Sequence, residues 1–405
     1  MENKNYRKLD RELDKISSKI NVYAVNPINV DREKKRFLKN KKYNPKFRYA
    51  PYIDDLDTIK ERLISLETDT STLGLLFKEI INTLLMDIEM LKARGNQNFT
   101  HQAIMIWGVP DKKLLQTAKK ILNRVKAKRR DDGKKIFIAS KIKMTLNFAL
   151  FKYGLREWQV KEKNMIASAA VKSADRELLI KKNEKFSKRF IERLIVHEIG
   201  THIIRAENGL RQPYKIFSRG LPGYLMTEEG LAVVNEEIHG CLDPFTLKIY
   251  AGRILAVQRA LKGSFRSTYN FLCKHFTKDT AWRLTVRAKR GLTDTSQIGG
   301  CTKDIVYLQG YLAIKKFLKH GGKIDDLYYG KIGLKDIEQV KKIEGIVDPS
   351  YLPTLRYFMF FIETFYEQLK NIIFLDLPFF DRYPLKLVQD VHPLRYLKDK
   401  LGIKL

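Results

Sequence analysis

The sequence predicts a helix-rich α+β fold, with one large domain and a small antiparallel sheet. Amphipathic segments with helical spacing dominate on both sides of residues 158–182, where apolar residues alternate or run together over strand lengths. Across the 405 residues we find no Gly/Ser tract, Pro-rich linker or repeat that would mark a domain boundary. We therefore expect a basic N-terminal extension over residues 1–48 and a single domain over residues 49–405.

Start and stop signals give the predicted helices their bounds. A helix over residues 6–20 is expected to precede a tethered arm. Asp54 and Asp55 precede a helix over residues 56–66, and Thr70 or Ser71 opens a long helix that ends before Gly95. Further helices are predicted over residues 99–107, 112–126, 187–207, 231–239, 245–261, 279–289, 303–320 and 351–374.

The predicted strands lead directly into the helix over residues 187–207. Residues 158–161, 170–172 and 177–181 indicate two or three antiparallel strands. The edge of such a sheet can bind an extended peptide by backbone pairing. The sheet is therefore expected beside the helix that carries the principal motif of the chain.

The charge is strongly positive, with 77 Lys and Arg against 46 Asp and Glu and a formal net charge of +31. A field of this sign favours acidic partners, nucleic acids or anionic membranes. A lysine-rich genome produces the same balance without a functional cause. The densest basic run covers residues 126–130, with Lys134 and Lys135 nearby, and a solvated helix end explains it equally well. The sequence has no aromatic, zinc-finger or basic-zipper pattern typical of specific nucleic-acid binding.

Three cysteines occur, Cys241, Cys273 and Cys301, without a CxxC pair. The odd number and the absence of an apolar leader after Met1 favour a reducing, cytoplasmic environment. We interpret Cys301 as a structural thiol rather than a nucleophile. No run reaches the roughly 18 apolar residues that a membrane span requires, and the apolar residues 73–91 include four charged side chains.

The principal motif is His197-Glu198-Ile199-Gly200-Thr201-His202, followed by the acidic cluster 227–231 with sequence TEEGL. Two imidazoles and a distal carboxylate can hold zinc and leave one coordination position open. A glutamate directly after the first histidine is where a general base would lie. The pattern indicates a metallohydrolase, in the simplest case a peptidase.

The spacing of the two histidines imposes a structural condition. His197 and His202 are five residues apart, which separates them by about 140° on a regular α-helix. An inserted residue, a π-bulge, restores a shared face, and Gly200 lowers the cost of that distortion. The metal interpretation therefore requires a bulge between Glu198 and His202. The alternative is a pair of hydrogen-bonded core histidines.

Several segments, in the same order, resemble the tyrosine carboxypeptidase family, which includes microtubule-associated enzymes and microbial relatives with a QEGL-type motif. The resemblance spans most of the chain between Asn44 and Tyr307. Glu228 stands where microbial relatives often have Gln, and the loop over residues 215–226 has no strong match. The matching segments are 44–49 (NPKFRY), 196–202 with Arg205, 212–213 (QP), 227–232 (TEEGLA) and 301–308 (CTKDIVYL).

The resemblance implies a zinc-dependent carboxypeptidase that removes a C-terminal residue, with Tyr or Phe preferred, from a peptide or protein. The positive net charge would suit an acidic C-terminus. His197, His202 and Glu229 would hold one zinc ion per chain, and Glu198 would be catalytic. Glu228 is rotated by about 100° from Glu229 on a helix, so only one of them can face the metal.

Further roles concern the substrate and the supporting residues. Tyr307 is the candidate donor to the oxyanion, and Asp304 is a candidate to orient an imidazole. An exopeptidase also needs a cation for the substrate carboxylate, and we rank Lys303 ahead of Arg205 and Arg219. Two alternatives stay open: a non-enzymatic basic protein that binds acidic partners, and a zinc endopeptidase or aminopeptidase.

Overall fold

The structure is a computed structural model that describes residues 2–52, 55–125, 137–165 and 168–353. The elements below lie in one compact unit, Met1–Leu352. Three sequence features lie outside the described residues: Asp54, the basic run at 126–130 with Lys134 and Lys135, and the predicted helix beyond residue 353.

The helix-rich α+β class is confirmed. Between the helices lie short 3₁₀ turns and one π-helix, Ile195–Ile203. In the described part of the chain, no helix combines the length and apolar character needed to cross a bilayer. The α-helices are α1 (Glu2–Ser17), α2 (Val30–Lys39), α3 (Leu56–Ile64), α4 (Thr72–Lys92), α5 (Asn98–Trp107), α6 (Lys112–Arg124), α7 (Ala139–Lys152), α8 (Lys188–Leu194), α9 (Ile204–Arg211), α10 (Ile216–Arg219), α11 (Tyr224–Ile238), α12 (Pro244–Lys262), α13 (Phe265–Cys273), α14 (Lys278–Lys289), α15 (Val306–Lys319) and α16 (Ile337–Val340).

Side-chain caps set the starts of several helices, as the sequence predicts. Asp55 accepts a hydrogen bond from the Asp57 amide at the start of α3. Ser71 accepts one from the Gly74 amide at the start of α4. Ser187 does the same for Phe190 in α8, the helix that runs into the π-helix. Each cap satisfies a backbone donor that has no partner within its own helix.

The sheet differs from the prediction because it is not purely antiparallel. The strand β4 (Glu177–Lys181) lies between the other two strands, antiparallel to β3 (Ala169–Lys172) and parallel to β2 (Gln159–Lys163). Leu178, Leu179 and Ile180 are all buried, which is typical of a central strand covered on both faces. Alternation reveals that a segment is a strand but not which neighbour it pairs with. The strands are β1 (Phe137–Ile138), β2 (Gln159–Lys163), β3 (Ala169–Lys172), β4 (Glu177–Lys181) and β5 (Lys185–Phe186), where β1 pairs with β5.

The N-terminal segment packs into the same unit, so the prediction of a tethered arm is wrong. Phe37, from α2, is 1% exposed and contacts the rings of Phe265, Tyr269 and Trp282. Phe47 is fully buried. The high charge of residues 1–48 concealed these apolar anchors, and burying two phenylalanines contributes on the order of several kcal/mol.

Helix α11 begins at Tyr224, seven residues before the predicted start, so Glu228 and Glu229 lie within it rather than ahead of it. Gly230 lies inside this helix at the point where α11 crosses α15, and the close approach leaves no room for a side chain there. A Cβ at Gly230 would lie 2.2 Å from the carbonyl carbon of Gly310, nearer than atoms can approach. The crossing brings Glu229 of α11 beside Tyr307 of α15.

Candidate metal centre

The two motif histidines lie on the π-helix Ile195–Ile203, as the five-residue spacing requires. The wider turn brings the imidazoles of His197 and His202 onto one side, with ring centroids 5.0 Å apart. Both side chains are half-buried. The predicted bulge is therefore confirmed.

Buried polar side chains support the distorted turn. The Tyr328 hydroxyl donates to the carbonyl oxygen of Gly200 at 2.9 Å. The Asn235 amide donates to Thr201 Oγ1 at 2.7 Å and to the Tyr328 hydroxyl at 2.8 Å. These contacts satisfy a carbonyl and a hydroxyl of the motif that are buried away from water.

Glu229 of α11 faces the two imidazoles from the opposite side. Ligand atoms of His197, His202 and Glu229 all lie within 4.8 Å of one another. The Oε2 atom of Glu229 lies 3.8 Å from His197 Nε2, while the Tyr307 hydroxyl donates to Oε1 at 3.0 Å. Oε2 is buried and has no hydrogen-bond partner among the residues described.

His197 is oriented by a carboxylate that the sequence analysis did not identify. Nδ1 of His197 lies 2.7 Å from Glu236 Oε1, and Arg193 Nε donates to the same oxygen at 2.9 Å. Glu236 is fully buried, which raises its pKa, but the charges of Arg193 and His197 outweigh burial and lower it. Glu236 therefore stays ionised and leaves Nε2 of His197 directed to the cluster.

His202 is oriented in the same way by Glu228. Nδ1 of His202 lies 2.9 Å from Glu228 Oε1, and the other Glu228 oxygen accepts a hydrogen bond from Arg205. Burial raises the pKa of Glu228, but the charges of Lys331 and Arg205 outweigh it and lower the pKa to about 2. Burial lowers the pKa of His202, and its bond to Glu228, with nearby glutamates, raises it to about 9.

Glu198, between the histidines, has no structural partner among the described residues. Its side chain is half-buried and makes no hydrogen bond or ion pair with any described residue. Its charge contributes to the raised pKa of His202, which places the carboxylate near that imidazole. The group is therefore available for proton transfer at the cluster.

The donor set suits a zinc ion. Two imidazole Nε2 atoms and a carboxylate oxygen are ligands that zinc binds, and both Nδ1 atoms are already hydrogen-bonded to glutamates. The buried Glu229 Oε2 lacks a partner within the described chain, and a cation between the three side chains would supply one. His197, His202 and Glu229 are the residues that could hold the metal.

Two of the three candidate substrate cations are committed elsewhere. Arg205 is fully buried and donates to Glu228 and to the carbonyl oxygens of Leu327 and Ile332, so it cannot meet a substrate. Arg219 pairs with Asp14 of α1.

Lys303 is half-buried and forms no hydrogen bond or ion pair within the described ranges. Burial and the charge of Arg290 lower its pKa.

Asp304 does not orient an imidazole, so that prediction is wrong. Its carboxylate pairs with Arg287, at 2.8 Å from Nη2, and with Arg290 at 3.2 Å. Glu236 has the role expected of Asp304. A sequence signal was present: Glu236 follows Glu229 by seven residues, which places both on one face of a helix.

The fold and the cluster together define a helix-rich α+β protein with a candidate three-ligand metal site on a π-helix. Residues 35–359 match the family described as microtubule-associated tyrosine carboxypeptidase, and the chain belongs to this family.

Curated relatives support the assignment. Microtubule-associated tyrosine carboxypeptidase 1 of mouse is 35% identical over 195 residues, which cover 45% of this chain and 39% of the relative. The human protein of the same name is 34% identical over 195 residues with the same coverage. The matched region therefore spans about two fifths of the length of these relatives.

Proposed function

We propose that the chain is a zinc-dependent carboxypeptidase that removes a C-terminal Tyr or Phe from peptides or proteins. The family and the names of the relatives support the reaction. The observation that carries the metal assignment is the buried Glu229 Oε2, which lacks a partner among the described residues and lies 3.8 Å from His197 Nε2.

His197, His202 and Glu229 would hold one zinc ion. When bound, zinc supplies Lewis acidity, which polarises a scissile carbonyl and makes water more acidic. Glu228 and Glu236 hold the imidazoles through Nδ1, which fixes the tautomer and keeps both Nε2 atoms directed to the cluster.

Glu198 would act as the general base and then as the general acid. Its carboxylate is free of structural partners in the described chain, so it can accept a proton from the attacking water. The same carboxylic acid then donates that proton to the leaving amine. Tyr307 holds Glu229 through Oε1, and its role as oxyanion donor stays a prediction.

The surroundings of the cluster favour an acidic, extended C-terminal segment. The net charge of +31 attracts acidic peptides and increases their association rate. Strand β3 lies at an edge of its sheet and contacts the π-helix. Its free backbone edge could pair with a substrate and align the scissile bond with Glu198.

Mass spectrometry of peptide products tests the proposal. Zinc-loaded wild type is incubated with acidic and neutral peptides that end in Tyr, Phe or Ala, beside Glu198→Gln and the exposed control Glu162→Gln. We expect wild type and the control to release one C-terminal aromatic residue, and Glu198→Gln to lose about 10²- to 10⁴-fold in rate. Internal or N-terminal cleavage would replace the proposal by an endopeptidase or aminopeptidase. Intact peptides would favour a binding protein.

A further inference from the structure

Arg253 of α12 lies one aromatic ring away from the candidate metal ligands. Its guanidinium carbon lies 4.0 Å from the centroid of the Tyr307 ring and 5.0 Å from that of Tyr250. The two rings stack on each other with centroids 5.5 Å apart. The Tyr307 hydroxyl contacts Glu229, so the cation borders the same cluster.

The hydrogen-bond donors of Arg253 are not used by the described residues. Nε and Nη1 are buried without a partner in these ranges, while the residue as a whole is half-buried and retains access to solvent. Buried polar groups are normally hydrogen-bonded, and an exception needs an explanation. A ligand is one such explanation.

The other arginines near the cluster have carboxylate partners. They differ from Arg253 in that each holds a protein group in place: Arg193 binds Glu236, Arg205 binds Glu228, and Arg287 and Arg290 bind Asp304. A substrate anion could engage none of them without breaking an existing pair. Among the described residues, Arg253 forms no hydrogen bond or ion pair that a substrate anion would have to break.

We propose that Arg253 binds the α-carboxylate of the substrate's C-terminal residue. The inference rests on the proposed function, because it assigns one subsite of that reaction. A guanidinium can bind a carboxylate through two parallel hydrogen bonds, and it is always charged at neutral pH. The cation–π contacts with Tyr307 and Tyr250 hold the guanidinium while leaving its donors free.

Lys303, the cation favoured by the sequence, is a poorer candidate for the primary contact. Its ammonium group interacts electrostatically with two acidic side chains of the protein, Asp87 and Glu229. Arg253 has a comparable electrostatic interaction with Asp304, so the difference lies in geometry: a guanidinium can form two parallel hydrogen bonds to a carboxylate, and an ammonium group cannot. Arg253 therefore supplies the directional contact, and Lys303 adds positive charge nearby.

Binding measurements test the subsite without turnover. The zinc-loaded Glu198→Gln protein is titrated with N-acetyltyrosine and with N-acetyltyrosinamide by calorimetry, and the titration is repeated after metal removal. We expect the acid to bind about 10- to 100-fold more tightly than the amide. Adding Arg253→Gln should remove this preference with and without zinc, and leave the amide affinity unchanged.

Two further variants separate binding from folding. Arg253→Lys keeps the charge and should restore part of the preference for the acid. Arg259→Gln, on the same helix but over the ring of Phe271, should leave the preference intact. A preference that survives Arg253→Gln, or is absent from the starting protein, overturns the subsite. If wild type cleaves peptides but Arg253→Gln keeps the preference for the acid, the proposed function stands and the subsite is rejected. If wild type cleaves no peptide but Arg253→Gln removes the preference, only the subsite stands.

Discussion

Nδ1 of His202 lies 2.9 Å from Oε1 of Glu228, the residue directly before the candidate ligand Glu229. The two adjacent glutamates of α11 thus serve different purposes. Glu229 turns towards the space between the imidazoles, and Glu228 holds one imidazole from behind. The sequence predicts that one of the two glutamates faces the metal, and in the structure the other supports His202.

Alanine at each position separates these roles. Glu229→Ala removes a candidate ligand and should lose zinc as His202→Ala does, with little effect on folding. Glu228→Ala leaves Arg205 and Lys331 without their buried partner and should lower the free energy of unfolding by about 3–5 kcal/mol. Its zinc affinity should fall by about 10- to 100-fold. Zinc titration and urea unfolding measure the zinc affinity and the stability. If Glu228→Ala loses zinc and Glu229→Ala mainly loses stability, Glu228 is the ligand and Glu229 the supporting residue.

Glu236 and its neighbour Glu237 provide a matched pair. Glu236→Gln should weaken zinc binding by about 10- to 100-fold, because the amide orients His197 less strongly than the carboxylate does. Glu237→Gln should leave zinc affinity unchanged, since Glu237 contacts Tyr311 and Lys315. Competition with a chelating dye measures both affinities. If Glu236→Gln binds zinc as tightly as Glu237→Gln does, Glu236 does not support the metal site through His197.

The sequence predicted the π-helix because it follows from the five-residue spacing of His197 and His202 within one short segment. It did not predict the contacts that join distant segments. In the sequence, Glu236 is one of several charged residues of a helix. Its contact with His197 can be recognised only once α11 is packed against the π-helix. Arg205 and Arg253 look equivalent in the sequence, yet one is committed to Glu228 and the other is not.

The fold shows the same limit. Caps such as Ser71 are local, so the helix starts they define were predictable. The parallel pairing of β2 with β4 and the burial of Phe37 depend on long-range packing. The helix predicted over residues 231–239 begins directly after Gly230, whereas in the structure Gly230 lies inside α11 at the point where α15 approaches it.

Asp304 should give the protein an acid-sensitive component of stability. Burial raises its pKa, but the charges of Arg287 and Arg290 outweigh burial and hold the pKa well below 3.8. A carboxyl group with a lowered pKa in the folded state stabilises above its unfolded pKa, and that stability is lost as pH falls below about 4. Urea unfolding of wild type at pH 7 and pH 3 measures this loss.

Asp304→Asn tests the source of that acid sensitivity. At pH 7 the free energy of unfolding of the variant should be about 3–5 kcal/mol lower, because the buried Arg290 and the half-buried Arg287 lose their partner. At pH 3 the difference in free energy of unfolding between this variant and wild type should be smaller than at pH 7. The exposed Asp325→Asn should change neither value by more than about 0.5 kcal/mol. A constant difference between wild type and Asp304→Asn at both pH values would contradict the pKa assignment.

Gly230→Ala tests whether the helix crossing positions the site. Helix propensity alone predicts that alanine stabilises α11 by about 1 kcal/mol. The crossing predicts the opposite sign, because the new Cβ would meet the backbone of Gly310 at 2.2 Å. We expect a loss of about 1–3 kcal/mol in the free energy of unfolding and weaker zinc binding as Glu229 moves.

Gly240→Ala is the control for this variant. Apart from Gly240 and its two chain neighbours, no atom of the described residues lies within 4 Å of a Cβ placed at Gly240, and its φ of +68° alone should cost about 1 kcal/mol. Its zinc affinity should equal that of wild type, since Gly240 lies beyond the end of α11 at Ile238. If Gly230→Ala stabilises the protein and keeps its zinc affinity, the close approach of α11 and α15 does not hold Glu229 in place.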